Sequence, residues 1–364
     1  MTAPTLGYAG DVDIRIEFTQ VLAEIEAEMQ SVLDEQDGHS RPLYEMLAYH
    51  LGLEAPEGPR GKRMRPLLGL LAYESLGGSY REVLPAAAAV ELGHNFSLVH
   101  DDIEDDDRER RGRPTLWALW GVPLAINAGD ALFALSRLAL YRLVDTGKYA
   151  DKLILRMMRV YDETCLALCE GQYLDISFES RTDVTVAEYM EMIGKKTAML
   201  LAAAVQAGAI LASDDDPAVV EAYRRFGYDL GMAFQMADDV KGSFWASADS
   251  GKAPAGDIRK RKKTLPVVWA LQHGSDDDVA RLRELYAHAA PGATEGGQRA
   301  GQALLTDADV SEVLAILERS GARRHALDEA RRYRDTALAD LESLPCPDAA
   351  RAGLRLLVEG VIAL

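Results

Sequence analysis

The 364-residue chain has little of what several classes of protein require. Its three cysteines, Cys165, Cys169 and Cys346, form no spaced pairs, so neither a disulfide framework nor a zinc site is indicated. The most apolar run, residues 199–212, spans about 14 residues, fewer than the roughly 20 that cross a bilayer. The N-terminus has no basic region followed by an apolar stretch, as a signal peptide would. We therefore expect a cytoplasmic protein without a transmembrane segment.

Positive charge is also scarce. The chain carries 40 Lys and Arg against 58 Asp and Glu, a formal net charge of -18. A nucleic-acid-binding protein needs a basic face for phosphate contacts, so nucleic acid is not an expected partner. An anionic substrate would need metal ions or a local basic cluster.

What the chain does have is helical periodicity. Apolar residues recur at steps of three and four, and alternating β-branched segments are nearly absent. The clearest stretches are residues 21–33, 66–76, 153–168, 186–212 and 219–236. The pattern predicts an all-α fold, with residues 1–364 as one large helical domain, residues 1–12 frayed and residues 290–300 a surface loop.

Residues 101–109 are the most informative segment, because seven of these nine residues are acidic. The apolar stripe before them (Phe96, Val99, Ile103) predicts a helix that ends here. Carboxylates four residues apart repel each other, and the C-terminal end of a helix disfavours anions. Divalent cations such as Mg²⁺ would remove both penalties.

A second acidic pair, Asp238 and Asp239, ends another apolar stretch, and four compact basic clusters lie elsewhere, at residues 62–65, 108–113, 195–196 and 259–263. Taken singly, each is most simply a solvated charge run. Together, in an acidic chain, they indicate a site for a polyphosphate held by Mg²⁺ and by Lys and Arg.

Seven elements in this order resemble the trans-isoprenyl diphosphate synthase (polyprenyl synthetase) family over nearly the whole chain. They are GKRMRP (61–66), HDDIEDDDRERRGRPT (100–115), GDAL (129–132), GQYLD (171–175), KTAML (196–200), FQMADD (234–239) and KKTLP (262–266). The resemblance implies a helical bundle with a central active-site cavity, a homodimer, and head-to-tail condensation of isopentenyl diphosphate with an allylic prenyl diphosphate.

The resemblance also implies residue roles. Metal ligands, for three Mg²⁺ ions, would be Asp101, Asp102, Asp105, Asp238 and Asp239. The allylic diphosphate would be bound by Arg110, Lys196, Lys262 and Lys252, and that of isopentenyl diphosphate by Lys62, Arg65 and Arg111. Thr197 and Gln235 would face the reacting carbons and stabilise the allylic cation. Lys196 would be catalytic through its contact with the departing diphosphate, and the proton would be lost to the released diphosphate. His94 and His100 are expected to pack or hydrogen-bond rather than to act as a base.

Product length in the family depends on bulky residues four and five positions before the first acidic motif. Here these are Ser97 and Phe96. One aromatic residue beside a small one resembles synthases of C15 to C20 products, and we expect geranylgeranyl diphosphate rather than farnesyl diphosphate.

Three positions depart from the family pattern. Gly242 stands where the second motif usually has its third Asp, Ala246 stands where relatives with Gly there have a later Asp, and Glu74 stands where short-chain members often have His. Three alternatives therefore stay open: a terpene-synthase-like enzyme that cyclises one prenyl diphosphate, a non-catalytic partner subunit of a heteromeric synthase, and a helical lipid- or nucleic-acid-binding protein that uses residues 259–263.

Overall fold

The computed structural model describes residues 18–36, 38–54, 60–245, 255–287 and 304–361. Lys252 and Ala246, as well as residues 1–12 and 290–300, lie outside these ranges, so the predictions made for them stay predictions.

Sixteen α-helices account for most of the described residues. They are α1 (Thr19–Asp34), α2 (Arg41–Leu51), α3 (Met64–Ser75), α4 (Leu84–Glu104), α5 (Leu116–Trp120), α6 (Val122–Asp145), α7 (Asp151–Glu179), α8 (Val186–Ile193), α9 (Met199–Ser213), α10 (Pro217–Phe244), α11 (Gly256–Arg259), α12 (Leu265–His273), α13 (Asp276–Leu285), α14 (Asp307–Arg319), α15 (Ala322–Ser343) and α16 (Asp348–Val361). Short 3₁₀ turns cover Gly38–Ser40 and Tyr80–Val83, and a π-helical turn, Gly194–Ala198, joins α8 to α9.

The all-α prediction is confirmed. The only strands in the described part of the chain are β1 (Glu109–Arg110) and β2 (Arg113–Pro114), which form a two-residue antiparallel hairpin. Arg111 and Gly112 make its turn with φ of 54° and 73°. Two consecutive left-handed residues give the turn the twist that a tight hairpin needs.

The chain divides into two compact units. The first unit takes its described residues from Met1–Cys165, Leu200–Tyr228 and Ala337–Ala363, and the second from Leu166–Met199 and Asp229–Thr336. The prediction of one domain over residues 1–364 stays a prediction.

In the first unit, α4 is the central helix and packs most extensively against α6, with α3 and α1 on other sides. Pro85 lies in its first turn, a position that suits proline, and four buried alanines follow at residues 86–89. These small side chains let neighbouring helices approach closely. The acidic motif therefore starts on the last turn of α4, the helix with the most extensive packing in this unit.

The second unit has its own apolar core around α12, α13 and α14. Val267, Leu282, Val313 and Ile316 are fully buried in it, and Phe244 at the end of α10 packs against its edge. This core supports the ends of α10 and α11, where the second acidic pair and the adjacent basic run lie.

One helical stretch of the described chain, Val186–Ser213, is long and apolar enough to pass a test for a membrane span, but 72% of its apolar window is buried inside the protein. Such burial is also what a core helix of a globular protein shows.

Candidate active site

The first acidic motif lies where α4 ends and the chain turns into the hairpin. The N–H groups of Asp105 and Asp107 donate to the carbonyls of Asp101 and Asp102, at 2.8 and 2.9 Å, and so complete the last turn. The indole N–H of Trp117 donates to the carbonyls of Asp102 and Asp107, which ties the acidic segment to α5. The backbone that presents these carboxylates is thus fixed.

Asp102 is the buried member of the motif, whereas Asp105 is exposed. Oδ1 of Asp102 accepts a hydrogen bond from Arg110 Nε at 2.7 Å, and Oδ2 of Asp102 is buried without a hydrogen-bond partner. Burial raises the pKa of Asp102 to about 6, although the charge of Arg110 acts to lower it. A buried carboxylate oxygen without a donor is a group that a cation would stabilise.

Within the described ranges, no three His, Cys, Asp or Glu side chains converge as a ready-made metal site. Mg²⁺ commonly binds proteins through one or two carboxylates and takes its other ligands from water and substrate phosphate. The carboxylates of Asp101, Asp102 and Asp105 therefore fit Mg²⁺ that arrives with a diphosphate, since Oδ2 of Asp102 has no hydrogen-bond partner.

A cationic cluster lies in the same unit, where α3 begins. Arg65 Nη1 lies 3.1 Å from His94 Nε2 on α4. A Cβ on Gly61 would lie 2.9 Å from Nη2 of Arg111, so the hairpin turn reaches the segment that leads into α3. Lys62 is exposed beside them. The structure thus brings Arg111 close to Arg65 and to the segment that carries Lys62, the three residues predicted to bind the second diphosphate.

His94 was not predicted as a binding residue. Burial holds its pKa well below the ordinary value, and the charges of Arg65, Arg111 and Arg110 act in the same direction. The ring is therefore neutral, and because arginine can only donate, Nε2 accepts and Nδ1 carries the proton. A spacing of seven residues before Asp101 places His94 on the same helix face, which is the signal that could have indicated it.

Two further positions, His50 and Glu74, bear on what was predicted for this cluster. His50 on α2 is also near it: burial and then Arg111, Arg110 and Arg63 lower its pKa to about 3. Glu74 is exposed on α3, and the charged group acting on it is Arg81.

Arg63, within the same GKRMRP element, has a structural role instead. It is 2% exposed, adopts φ of 51°, and forms ion pairs with Glu91 at 2.8 Å and Glu26 at 3.4 Å. These pairs fix the backbone at the start of α3.

In the second unit, the two aspartates of the second motif differ sharply. Asp238 is exposed, whereas Asp239 is 1% exposed. Asp239 accepts hydrogen bonds from Tyr189 Oη, from the Leu265 N–H at 2.9 Å and from Gln235 Nε2 at 3.0 Å. Burial raises its pKa to about 6. Both of its oxygens are occupied within the unit, so Asp238 is the better-placed metal ligand of the pair.

Thr197 and Gln235 belong to the same hydrogen-bond chain. Thr197 Oγ1 donates to Gln235 Oε1 at 2.9 Å, which turns the amide so that its nitrogen donates to Asp239. Thr197 and Lys196 lie on the π-helical turn Gly194–Ala198. Such turns are often found at functional sites because they re-aim side chains within a helix.

The lysines of the second unit lie among carboxylates. Lys196 Nζ donates to Asp175 Oδ2 at 2.5 Å. Burial acts to raise the pKa of Asp175, but the charges of Lys196 and Lys262 outweigh it and the pKa is lowered. Lost hydration acts to lower the pKa of Lys262, yet its acidic neighbours, Asp257 foremost, raise it. Asp175, which sequence reasoning did not select, therefore acts on both lysines.

The basic run at residues 259–263 does not present a continuous basic face. Arg259 pairs with Asp307, Arg261 Nε donates to the Leu285 carbonyl at 2.7 Å, and Lys263 is buried. These contacts weaken the alternative of a lipid- or nucleic-acid-binding patch.

The residues predicted to limit product length pack inside the first unit. Phe96 is 8% exposed, and its ring contacts Phe133 on α6 edge-on, with centroids 5.2 Å apart. The ring of His100, four residues further along α4, lies 6.1 Å from that of Phe96. Ser97 donates to the His94 carbonyl at 2.8 Å, within its own helix. Phe133, a second aromatic at this place, was not predicted.

Comparison with known proteins agrees with these observations. The model of the polyprenyl synthetase family matches residues 43–299. The chain is 35% identical to (2E,6E)-farnesyl diphosphate synthase of Mycobacterium tuberculosis, covering 99% of this chain and 93% of that protein. It is 38% identical to geranylgeranyl diphosphate synthase of the same organism, covering 85% and 83%.

Solved structures give the same result. The crystal structure of geranylgeranyl pyrophosphate synthetase from Pyrococcus horikoshii superposes with a TM-score of 0.84 at 31% identity, covering 97% of this chain and 98% of that one. The resemblance drawn from the seven sequence elements is thereby confirmed at the level of fold and of family.

Proposed function

The chain belongs to the polyprenyl synthetase family and is a prenyltransferase, and from this premise we propose that it condenses isopentenyl diphosphate with an allylic prenyl diphosphate to a short all-trans product. The observation that carries the proposal lies within the first unit. It holds two distinct sets of residues that could each bind a diphosphate. The carboxylates of the first motif would act through Mg²⁺, and the cationic cluster of Lys62, Arg65 and Arg111 would act directly. A condensation of two diphosphates needs both, whereas a cyclase of one prenyl diphosphate needs only the first.

Enzymes of this family use Mg²⁺. We propose that Asp101, Asp102, Asp105 and Asp238 hold it, with three ions in the complete enzyme. Bound Mg²⁺ neutralises the charge that develops on a departing diphosphate. Arg110, through its bond to Asp102, keeps that carboxylate oriented. Lys196 and Lys262 would bind the allylic diphosphate. Asp239 positions Gln235 from within the unit.

Arg65, Arg111 and Lys62 would bind the diphosphate of isopentenyl diphosphate, and His94 would assist. Because Arg65 donates to His94 Nε2, the Nδ1–H of His94 is held in place as a neutral donor. A neutral histidine among arginines adds a hydrogen bond without adding charge repulsion.

Thr197 and Gln235 would orient dipoles toward the reacting carbons. Their mutual hydrogen bond fixes both groups before substrate arrives, so little reorganisation is needed when cationic charge develops. Apolar side chains exclude water that would capture an allylic cation. No residue of the chain is assigned as a nucleophile, and the proton leaves with the released diphosphate.

We propose a C20 product, geranylgeranyl diphosphate, in preference to a C15 product. Phe96 forms the floor that limits growth, and Phe133 supports it edge-on. Relatives of this chain include both farnesyl and geranylgeranyl diphosphate synthases, so the floor is the feature on which the choice depends.

We also propose that the enzyme is a homodimer and acts in the cytoplasm. Helix α6 supports the dimer: Leu124, Leu138 and Tyr141 on it are each about half exposed. Large apolar side chains exposed together on one helix are typical of a surface covered by a partner.

The decisive experiment incubates the purified protein and Mg²⁺ with dimethylallyl, geranyl or farnesyl diphosphate, with and without labelled isopentenyl diphosphate. We expect label in a C20 product. A cyclic product in both arms would assign the enzyme to the cyclases, and no turnover in any arm would favour a partner subunit. Asp101→Ala should lower kcat/KM on the order of 10²- to 10³-fold, the scale of a lost electrostatic stabiliser, whereas exposed Asp276→Asn should not.

A further inference from the structure

The second acidic motif lacks its third aspartate, and Gly242 stands in that place. The structure shows what fills the space. A Cβ built on Gly242 would lie 2.0 Å from Oδ2 and 2.7 Å from Cγ of Asp257. The carboxylate of Asp257 therefore lies where the side chain of residue 242 would begin, and no side chain at 242 could coexist with it in this position.

Asp257 is held there by its own segment. It lies in the first turn of α11, and its carbonyl accepts a hydrogen bond from the Lys262 N–H at 2.9 Å. The next residue, Ile258, is fully buried in the core of the second unit, and the Arg259 carbonyl accepts from the Leu305 N–H at 3.1 Å. The turn is anchored on both sides, so the carboxylate is presented to α10 by a supported backbone.

The surroundings of Asp257 are those of the second motif. Among the negative charges that raise the pKa of Lys262, that of Asp257 has the largest effect, ahead of Asp175, Asp239 and Asp238. It also acts on Asp239 and on Tyr189. Asp257 is only half-buried, so its carboxylate is within reach of solvent and of a dissolved ion.

We propose that Asp257 supplies from α11 the carboxylate that the second motif lacks at Gly242, and acts with Asp238 toward the Mg²⁺ of the allylic diphosphate. Gly242 is then required for a positive reason, since only glycine leaves room for the incoming carboxylate. The proposal rests on the proposed function, but it concerns the origin of one ligand and not the reaction.

The test moves the carboxylate and measures metal binding directly. Asp257→Asn keeps the shape of the side chain and removes its charge. The double variant Gly242→Asp with Asp257→Ala returns the acid to the usual position and clears the space it needs. Asp277→Asn, an exposed acid of the same unit, is the matched control. Binding of Mn²⁺ in the presence of inorganic pyrophosphate is followed by electron paramagnetic resonance, with circular dichroism to verify folding.

We expect Asp257→Asn to weaken the binding of one Mn²⁺ ion by about 10- to 100-fold, the range for groups that tune a metal site, while the control binds like the parent protein. The double variant should regain most of the lost affinity. Parent-like Mn²⁺ binding by Asp257→Asn would overturn the proposal and leave Asp257 as a counter-ion of Lys262. A folded double variant that regains nothing would contradict it as well. Failure of the proposed function is separate, because it would appear as a parent protein that binds Mn²⁺ and pyrophosphate but incorporates no isopentenyl diphosphate.

Discussion

At the scale of single residues, burial decides which charged groups can act and which only position others. Asp102 and Asp239 are both buried, but Asp102 keeps an oxygen without a donor, whereas Asp239 receives three donors. Two buried aspartates, one from each acidic motif, therefore have different roles. Composition and spacing predicted the acidic motifs, but they could not separate a ligand from an internal acceptor, because that depends on what packs around each carboxylate.

His94 gives a prediction about the second diphosphate. Because its neutral ring is held by Arg65, we expect His94→Ala to raise the KM for isopentenyl diphosphate about 10-fold, the effect of one hydrogen bond to a charged group. The KM for the allylic substrate should change little. Steady-state kinetics with each substrate varied in turn measures both.

His39→Ala, a change at an exposed histidine, is the control and should alter neither KM. Since burial and the arginines keep the pKa of His94 below its ordinary value, the ratio of variant to parent KM should be independent of pH above about 6.5. An unchanged KM for isopentenyl diphosphate in His94→Ala would remove this residue from the site.

Lys263 gives a prediction about stability and pH. It is 3% exposed, and burial lowers its pKa to about 8 from the ordinary 10.5. Its Nζ donates to the Glu179 carbonyl at 3.0 Å, which offsets burial only in part. Between these two pKa values the unfolded chain binds more protons than the folded one. The free energy of unfolding contributed by Lys263 therefore rises with pH from about 8 upward, by at most about 3 kcal/mol.

Lys263→Met keeps the length of the side chain and removes the charge. Urea denaturation near pH 7.5 and near pH 9.5 should show the parent protein gaining stability relative to the variant as pH rises. A constant difference between the two proteins at both pH values would mean that Lys263 keeps an ordinary pKa.

At the scale of elements, periodicity was a good guide to where helices lie and a poor guide to their interruptions. Residues 219–236 were predicted as helical, and α10 covers Pro217–Phe244. The stretch 186–212 showed helical periodicity throughout, yet the π-helical turn Gly194–Ala198 divides it into two helices. A single extra residue in a turn leaves the apolar spacing almost unchanged, so the sequence pattern could not reveal it. The hairpin of β1 and β2 was likewise not predicted, because two-residue strands leave no alternating pattern in the sequence.

The contact between α4 and α6 carries a prediction about product length. Phe96→Ala should remove the floor and give products longer than those of the parent enzyme. Phe133→Ala, on the facing helix, should do so to a smaller extent, because its ring only supports that of Phe96. Chromatography of the dephosphorylated products measures the chain lengths.

The control replaces Phe178, which is buried in the second unit and lies outside this contact, by Leu. It should leave the distribution of chain lengths unchanged. If neither Phe96→Ala nor Phe133→Ala shifts the distribution, the limit to growth lies in another part of the chain.

At the scale of the whole molecule, net charge was a misleading quantity. A chain at -18 was expected to have difficulty with an anion, but its positive charge is concentrated: Lys62, Arg65 and Arg111 gather in the first unit, and Lys196 and Lys262 lie in the second. Part of the acidic excess pairs with these cations, as Asp175 does with Lys196. The local distribution of charge, which the order of motifs predicted, therefore determines whether the chain can bind an anionic substrate, and the net charge does not.

Assembly is the property of the whole molecule that the exposed face of α6 predicts. Leu138 and Tyr141 are 51% and 48% exposed and lie three residues apart, on one side of the helix. Covering such side chains in a partner removes apolar surface from water, at about 25 cal/mol per Å². We expect the parent protein to be a dimer by size-exclusion chromatography with light scattering, and Leu138→Glu to shift it toward monomer by burying a charge in that interface.

Leu304→Glu makes the same change at a side chain that is 60% exposed in the second unit, and it should leave the dimer intact. A parent protein that is monomeric at every concentration tested, or a Leu138→Glu variant as dimeric as the parent, would show that this face of α6 is not the surface through which two copies associate.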